Sequence, residues 1–176
     1  MRTKLLIALM LALCLASSCS QQPSVPISDE AVSVYFAPDK NVYKPIIGLY
    51  GSAHSYIHLA IYSLTKDEIA DALIQARNRG VEVKVLIDKT QAGLKSADDE
   101  RLEKAGIEVR RSKGSGLMHN KFCIIDGKVA YTGSYNHTDS ATFSNDENYA
   151  IFKSEKIAEI FEAQFQKLWD KHKQIR

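Results

Sequence analysis

Cysteine is scarce in these 176 residues, with only Cys14, Cys19 and Cys123. Cys14 falls in a leader and Cys19 in a modification site (below). Cys123 is then left alone, and no intrachain disulfide can form even along an export route that would permit one. No two His, Cys or Asp residues have zinc-like spacing, and there is neither a Gly-x-Gly-x-x-Gly nor a Walker loop. The expectation is no metal and no cofactor. A surplus of charge is missing as well. The chain has 23 basic and 21 acidic residues, and setting aside Arg2 and Lys4 leaves 21 against 21. Bulk charge therefore advertises no polynucleotide, and any such surface must be local. Long apolar runs are absent too: Leu5–Leu15 is too short to span a bilayer.

What that run does fit is a leader. Arg2 and Lys4 supply the positive start, and Leu5–Leu15 the apolar stretch. Leu15-Ala16-Ser17-Ser18-Cys19 resembles the bacterial lipoprotein box, which implies cleavage before Cys19 and lipidation of that residue. Ser20, rather than Asp, after the cysteine suggests sorting to the outer membrane. The alternative is ordinary signal cleavage releasing a soluble periplasmic protein. Residues 1–18 are read as the signal peptide, 19–30 as a flexible polar tether, and 31–176 as one catalytic domain. The expected location is the bacterial cell envelope, facing the periplasm.

The domain alternates strand and helix signals. Val32–Phe36 and Tyr56–Tyr62 are β-rich, and the second is apolar on both parities except at His58. Asn41–Ala53 has helical spacing interrupted by Pro45, Gly48 and Gly51. Thr65-x-x-Glu68 has capping-box spacing before a stripe of Ile69, Leu73, Ile74 and Ala76, and Gly80 ends that helix. The strand Val81–Ile87 follows. A second helix, capped by Ser96 and ended by Gly106, leads into Ile107–Arg110. Helix–Gly–strand twice implies parallel neighbours, so the fold expected is α/β, a mixed and largely parallel sheet with helices on both faces. Asp126-Gly127 between apolar runs signals a two-residue hairpin. Asn148–Lys153 is a last strand, and Ser154 caps a long terminal helix.

The densest chemistry lies at Met118-His119-Asn120-Lys121, followed by Asp126 and then Gly133-Ser134-Tyr135-Asn136. On a strand His119 and Lys121 face the same way, placing a titratable imidazole beside an ammonium. That pairing suits an anionic phosphate. The spacing His119-x-Lys121, Asp126, Gly133-Ser134-x-Asn136 resembles the HKD motif of the phospholipase D superfamily, closest to its small single-motif bacterial endonucleases. Glu147-Asn148 falls where that family commonly places a further acid.

The resemblance implies a metal-independent phosphodiesterase acting through a covalent phosphohistidine. His119 would be the nucleophile, Lys121 and Asn136 would hold phosphate oxygens, and Ser134 would donate beside them. Asp126, five residues from Lys121, reads locally as a turn former and ladder anchor, although the family motif includes it. Glu147 is expected to accept from the non-attacking nitrogen of His119, keeping Nε2 as the attacking atom. One motif supplies one histidine where the implied mechanism needs two, so a homodimer sharing one site is expected. Cys123 reads as a buried structural thiol.

Substrate is the open point. His137 is placed at the cleft rim. Arg101, Lys104, Arg110, Arg111 and Lys113 either form a basic rim tracking a polynucleotide or pair with Asp98, Asp99, Glu100 and Glu103. No extended apolar loop accompanies the motif, which ranks a weakly sequence-selective DNA or RNA endonuclease first. A phospholipase D acting on phospholipid or cardiolipin head groups comes second, and a non-catalytic nucleic-acid-binding lipoprotein third.

Overall fold

A computed structural model describes residues 31–173. The leader, the tether and Cys19 lie outside the described residues. In chain order the elements are β1 (Val32–Ala37), α1 (Lys44–Ser52), β2 (Tyr56–Ile61), α2 (Asp67–Asn78), β3 (Glu82–Ile87), α3 (Lys89–Ala92) and α4 (Asp99–Lys104). Then come β4 (Glu108–Arg111), β5 (Lys121–Ile125), β6 (Val129–Gly133), α5 (Asp139–Phe143), β7 (Glu147–Lys153) and α6 (Glu155–Lys171).

All seven strands join one sheet in the order β1-β7-β6-β5-β2-β3-β4. It is mixed, as expected, but the balance is reversed. Only β2–β3 and β3–β4 are parallel, while β1–β7, β2–β5, β5–β6 and β6–β7 are antiparallel. The two helix–Gly–strand units account for the parallel pairs alone. The rest of the sheet is built by the β5–β6 hairpin and by β7 returning beside both β6 and β1.

Helices cover both faces. Ile46 and Tyr50 of α1, Ile69 and Leu73 of α2 and Leu102 of α4 pack with Ile57, Leu59, Val85, Cys123 and Ile125. On the other face Ala158, Phe165 and Trp169 of α6 meet Ala60, Leu86, Phe122 and Ile124. The alternation along β5 is that of a strand buried on both sides. Burying a side chain such as Phe165 contributes about 2–3 kcal/mol. Ser154 caps α6 by accepting from Ile157 N–H at 3.4 Å.

Three local readings need correction. Thr65 does not cap α2: the cap position is Lys66, with no side-chain bond, and the Lys66 ammonium pairs instead with Glu68 at 3.2 Å and Asp139 at 2.7 Å. α4 starts at Asp99 rather than after Ser96. The hairpin ladder begins at Ile125↔Val129, so three residues rather than two make the connection. Asp126 and Gly127 both have positive φ, 54° and 65°, and Lys128 N–H closes on Ile125 O at 3.0 Å. α3 and α5 are one-turn helices whose length carries no periodicity to read.

Candidate active site

β2 and β3 run toward one edge of the sheet, and the antiparallel β5 starts there, Lys121 pairing with Ile61. β6 ends on this edge at Gly133, paired with Tyr149, and β7 begins there at Glu147. An open depression of ≈ 400 Å³ on that edge is lined by His119, Lys121, Gly133, Ser134, Asn136 and Glu147. Five of these are expected site residues brought together from three segments.

His119 is exposed and sits just before β5. Its ring lies 4.6 Å from that of Tyr62, and its Nδ1 is 3.1 Å from Lys121 Nζ. An ammonium only donates, so Nδ1 is the acceptor and the ring proton sits on Nε2. Lys121 is buried; its Nζ also donates to His119 O at 2.8 Å and lies 5.0 Å from the Tyr62 ring centre. Burial lowers the Lys121 pKa, opposed by the negative charge of Glu147. The expected His119–Glu147 bond does not form within one chain. Glu147 Oε1 accepts from Asn145 Nδ2 at 3.0 Å instead.

Asn136 Oδ1 accepts from Ser63 N–H at 3.3 Å, which leaves the donating end of its amide for a ligand. Ser134 is committed to the strand junction: its N–H donates to Asn148 O at 2.9 Å and its Oγ accepts from Asn148 N–H at 3.1 Å. Gly133 is required here. A Cβ would come within 2.1 Å of Asn148 O and 2.5 Å of Tyr149 Cα, so only glycine lets β6 and β7 approach.

Several other expected contacts are absent from the depression. Asp126 sits at the far end of β5, roughly 17 Å from Lys121 by strand rise. Its carboxylate accepts from the N–H groups of His54, Ser55 and Tyr56 at 2.9, 2.8 and 2.9 Å. Burial pushes its pKa up, but these three bonds outweigh it and hold the carboxyl below its ordinary range. His137 is not at a rim: it is fully buried, its Nε2 lies 3.2 Å from Tyr131 OH, and its backbone ties to Ser63, Thr65 and Lys66. Burial drops its pKa to about 3. Cys123 is a free buried thiol whose pKa burial pushes up.

The anticipated basic rim is consumed by internal pairs. Arg110 stacks 4.0 Å over Trp169 and donates to Trp169 O at 2.7 Å. Arg111 pairs with Asp99 and Glu103 at 2.8 and 2.9 Å, which raises its pKa further. Arg101 pairs with Asp67, Asp71 and Asp98, and Lys104 with Glu100 at 3.6 Å. Lys113 Nζ donates to Lys173 O. The alternative of paired surface charges therefore holds for Arg101, Lys104 and Arg111, while Arg110 pairs with Glu108 at 3.0 Å.

Two contributors escaped sequence reasoning. Tyr62 reaches His119 only because β2 pairs with β5, which no local pattern reveals. Asp88, fully buried at the end of β3, accepts from Met118 N–H at 2.8 Å, Ser112 Oγ at 3.2 Å and Thr90 N–H at 2.9 Å, fixing the chain one residue before His119. Apolar side chains were missed as well: Leu117, Phe143 and Phe36 are 58%, 53% and 69% exposed. They come from three separate segments, Phe36 pairing with Asn148 on β7, so no run in the sequence announces them.

An imidazole, an ammonium and an amide donor converging at the edge of a mixed α/β sheet define a phosphodiester-handling site of the HKD type. The family described as "Cardiolipin synthase, PLD-like domain" matches residues 46–169, and this chain belongs to the phospholipase D superfamily. Among curated relatives, the mitochondrial cardiolipin hydrolase of Chlamydomonas reinhardtii is 37% identical over 70% of this chain and 55% of its own length. A phospholipase D of Rickettsia felis is 35% identical over 84% of this chain and 75% of its own. The chain thus spans little more than half of the first of these. Among solved structures, the phospholipase D family member Nuc from Salmonella typhimurium superimposes with a TM-score of 0.77 at 29% identity. That match covers 83% of this chain and 98% of Nuc. NucT from Helicobacter pylori gives 0.76 at 25%, covering 80% and 96%.

Proposed function

We propose that the protein is a phosphodiesterase of nuclease type, cleaving DNA or RNA with little sequence selectivity and without a metal. The observation that carries this is the His119–Lys121–Asn136 depression on a chain that spans nearly the whole of Nuc at 29% identity. A scissile phosphate settles with its non-bridging oxygens on Lys121 and the Asn136 amide. Drawing the ammonium off Nδ1 lets the ring proton move there and bares Nε2. Nε2 then attacks phosphorus, the leaving oxygen departs with a proton, and water hydrolyses the phosphohistidine in the second step.

The proton for the leaving oxygen comes from a second imidazole, which one motif cannot supply. A two-fold homodimer facing His119 across a shared cleft completes the site. That second ring acts as an imidazolium: it gives its Nε2 proton to the leaving oxygen and takes one back from the attacking water in the second step. The exposed Leu117, Phe143 and Phe36 support self-association on this edge. The proposed setting is the bacterial cell envelope, with a lipid anchor on Cys19.

Phospholipid hydrolysis is the second reading. The same apolar side chains would seat against a bilayer, and two of the relatives are named for cardiolipin or phospholipid. The deciding experiment offers plasmid DNA and labelled phospholipid in parallel with excess chelator. Cleavage of DNA is expected. Cleavage of lipid alone overturns the substrate, and complete loss in chelator overturns the mechanism. His119→Ala should abolish turnover while folding and dimerisation persist, and heterodimers with the wild-type chain should be inactive or nearly so.

A further inference from the structure

The segment Met118–Lys121 is a wall with a depression on each side. His119 and Lys121 face the site just described. Asn120 faces the other, of ≈ 320 Å³, lined by Lys113–Met118, Asn120, Leu168, Lys171 and His172. We propose that this second depression holds the adjoining phosphate of a polynucleotide whose scissile phosphate lies at His119. The proposal rests on the nuclease reading and adds a binding subsite to it.

Basic side chains without a carboxylate partner line this place. The arginines expected to form a rim are bound to carboxylates or to the end of α6. Lys89, Lys113 and Lys171, by contrast, form no ion pair with a carboxylate among the described residues. Lys113 and Lys171 line the depression, and Lys89 Nζ donates to Gly114 O within its loop. The loop adds backbone donors. Lys113 N–H goes to His172 Nδ1 at 2.8 Å and Met118 N–H to Asp88, but the four N–H groups from Gly114 to Leu117 have no partner among the described residues. Consecutive unpaired N–H groups on a turn, here with Gly114 at φ +93°, are suited to an anion.

Of the features that oppose an anion, the two strongest are covered. The C-terminal end of α6 is the negative end of its dipole. Arg110 occupies the Trp169 carbonyl and Lys113 the Lys173 carbonyl there. Asp88 is near, but it is fully buried and saturated by donors from Thr90, Ser112 and Met118. Asp170 is exposed on α6 and stays in water.

The test compares the wild-type chain with Lys171→Glu on two substrates in chelator: a single-stranded oligonucleotide of about ten nucleotides and bis(p-nitrophenyl) phosphate, which has one phosphodiester. The variant should raise KM for the oligonucleotide about tenfold with kcat within twofold, and leave the small diester within twofold. Lys171→Ala should make the dependence of log(kcat/KM) on log[salt] shallower by about 0.7, the value of one phosphate contact on a single strand. Equal losses on both substrates, or none on either, overturn the subsite. A selective loss on cardiolipin relative to phosphatidylglycerol, with the oligonucleotide unchanged, assigns the second phosphate to a lipid and also overturns it. A wild-type chain inert on the oligonucleotide refutes the nuclease reading itself, an outcome separate from these.

Discussion

Asp126 tests whether a motif residue acts on substrate or on the fold. Its carboxylate receives three backbone N–H groups from the turn before β2, and its φ of 54° is one that Asp and Asn adopt more readily than most residues. The bonds are charge-assisted but partly open to water, so about 1 kcal/mol each is appropriate. Asp126→Ala should therefore cost about 3–4 kcal/mol, roughly a further 1 kcal/mol coming from the left-handed backbone. Asp126→Asn tolerates that backbone but loses the charge and sets an NH2 against an N–H, for about 1.5–2 kcal/mol. The folded carboxyl titrates below its unfolded value near 3.9. Its contribution is thus complete above that pH and is lost as pH falls through the lower folded value. Urea melts at pH 7 and pH 3 give the energies. Initial rates well below the variant's melting temperature give the chemistry. Stability should fall while kcat and KM stay within twofold. A tenfold drop in kcat for a fully folded Asp126→Asn would refute the placement of this residue outside the chemistry.

Gly133→Ala drives a methyl into the β7 backbone and should cost at least about 2–3 kcal/mol, with activity lost even in the folded fraction because Ser134 and Asn136 shift; thermal melts and rates check both. His137 titrates near pH 3 when folded and near 6.5 when unfolded, so the unfolded chain takes up a proton the folded chain refuses. Stability should fall by about 1.4 kcal/mol per unit as pH drops below 6.5, and His137→Gln should flatten that slope by about one proton in urea titrations. His172, also depressed by burial, adds in the same direction and remains in the variant. Asp88→Asn should lower kcat tenfold or more with KM little changed, since it releases Met118 next to His119 without touching the phosphate; parallel changes in both constants would contradict that role.

Much of the site was legible because the motif residues lie close together in the chain. Strand parity set His119 beside Lys121, the resemblance to the HKD motif added Ser134, Asn136 and Glu147, and β5, β6 and β7 are short segments with clear ends. Errors arose where the answer lay in a partner strand. Glu147 was assigned to His119 without knowledge that its carboxylate accepts from Asn145 and that Lys121 occupies His119 Nδ1. His137 looked exposed beside Asn136, but a bridge between Leu64 and His137 pulls it under the sheet edge. The arginines before the motif could not be told from a substrate rim until Asp99, Glu103 and Trp169 were seen against them. The parallel units were read from true local signals, but strand order depends on long-range pairing, and that reversed the balance of the sheet.

β5 is also a ruler. One end carries the reacting group and the other an anchor that fastens it to the turn before β2, only five residues from Lys121. Adding or removing one residue between them would turn Phe122 and Ile124 away from α6 and detach either the ammonium or the anchor. The count of residues between His119 and Asp126 is thus a length specification for a strand.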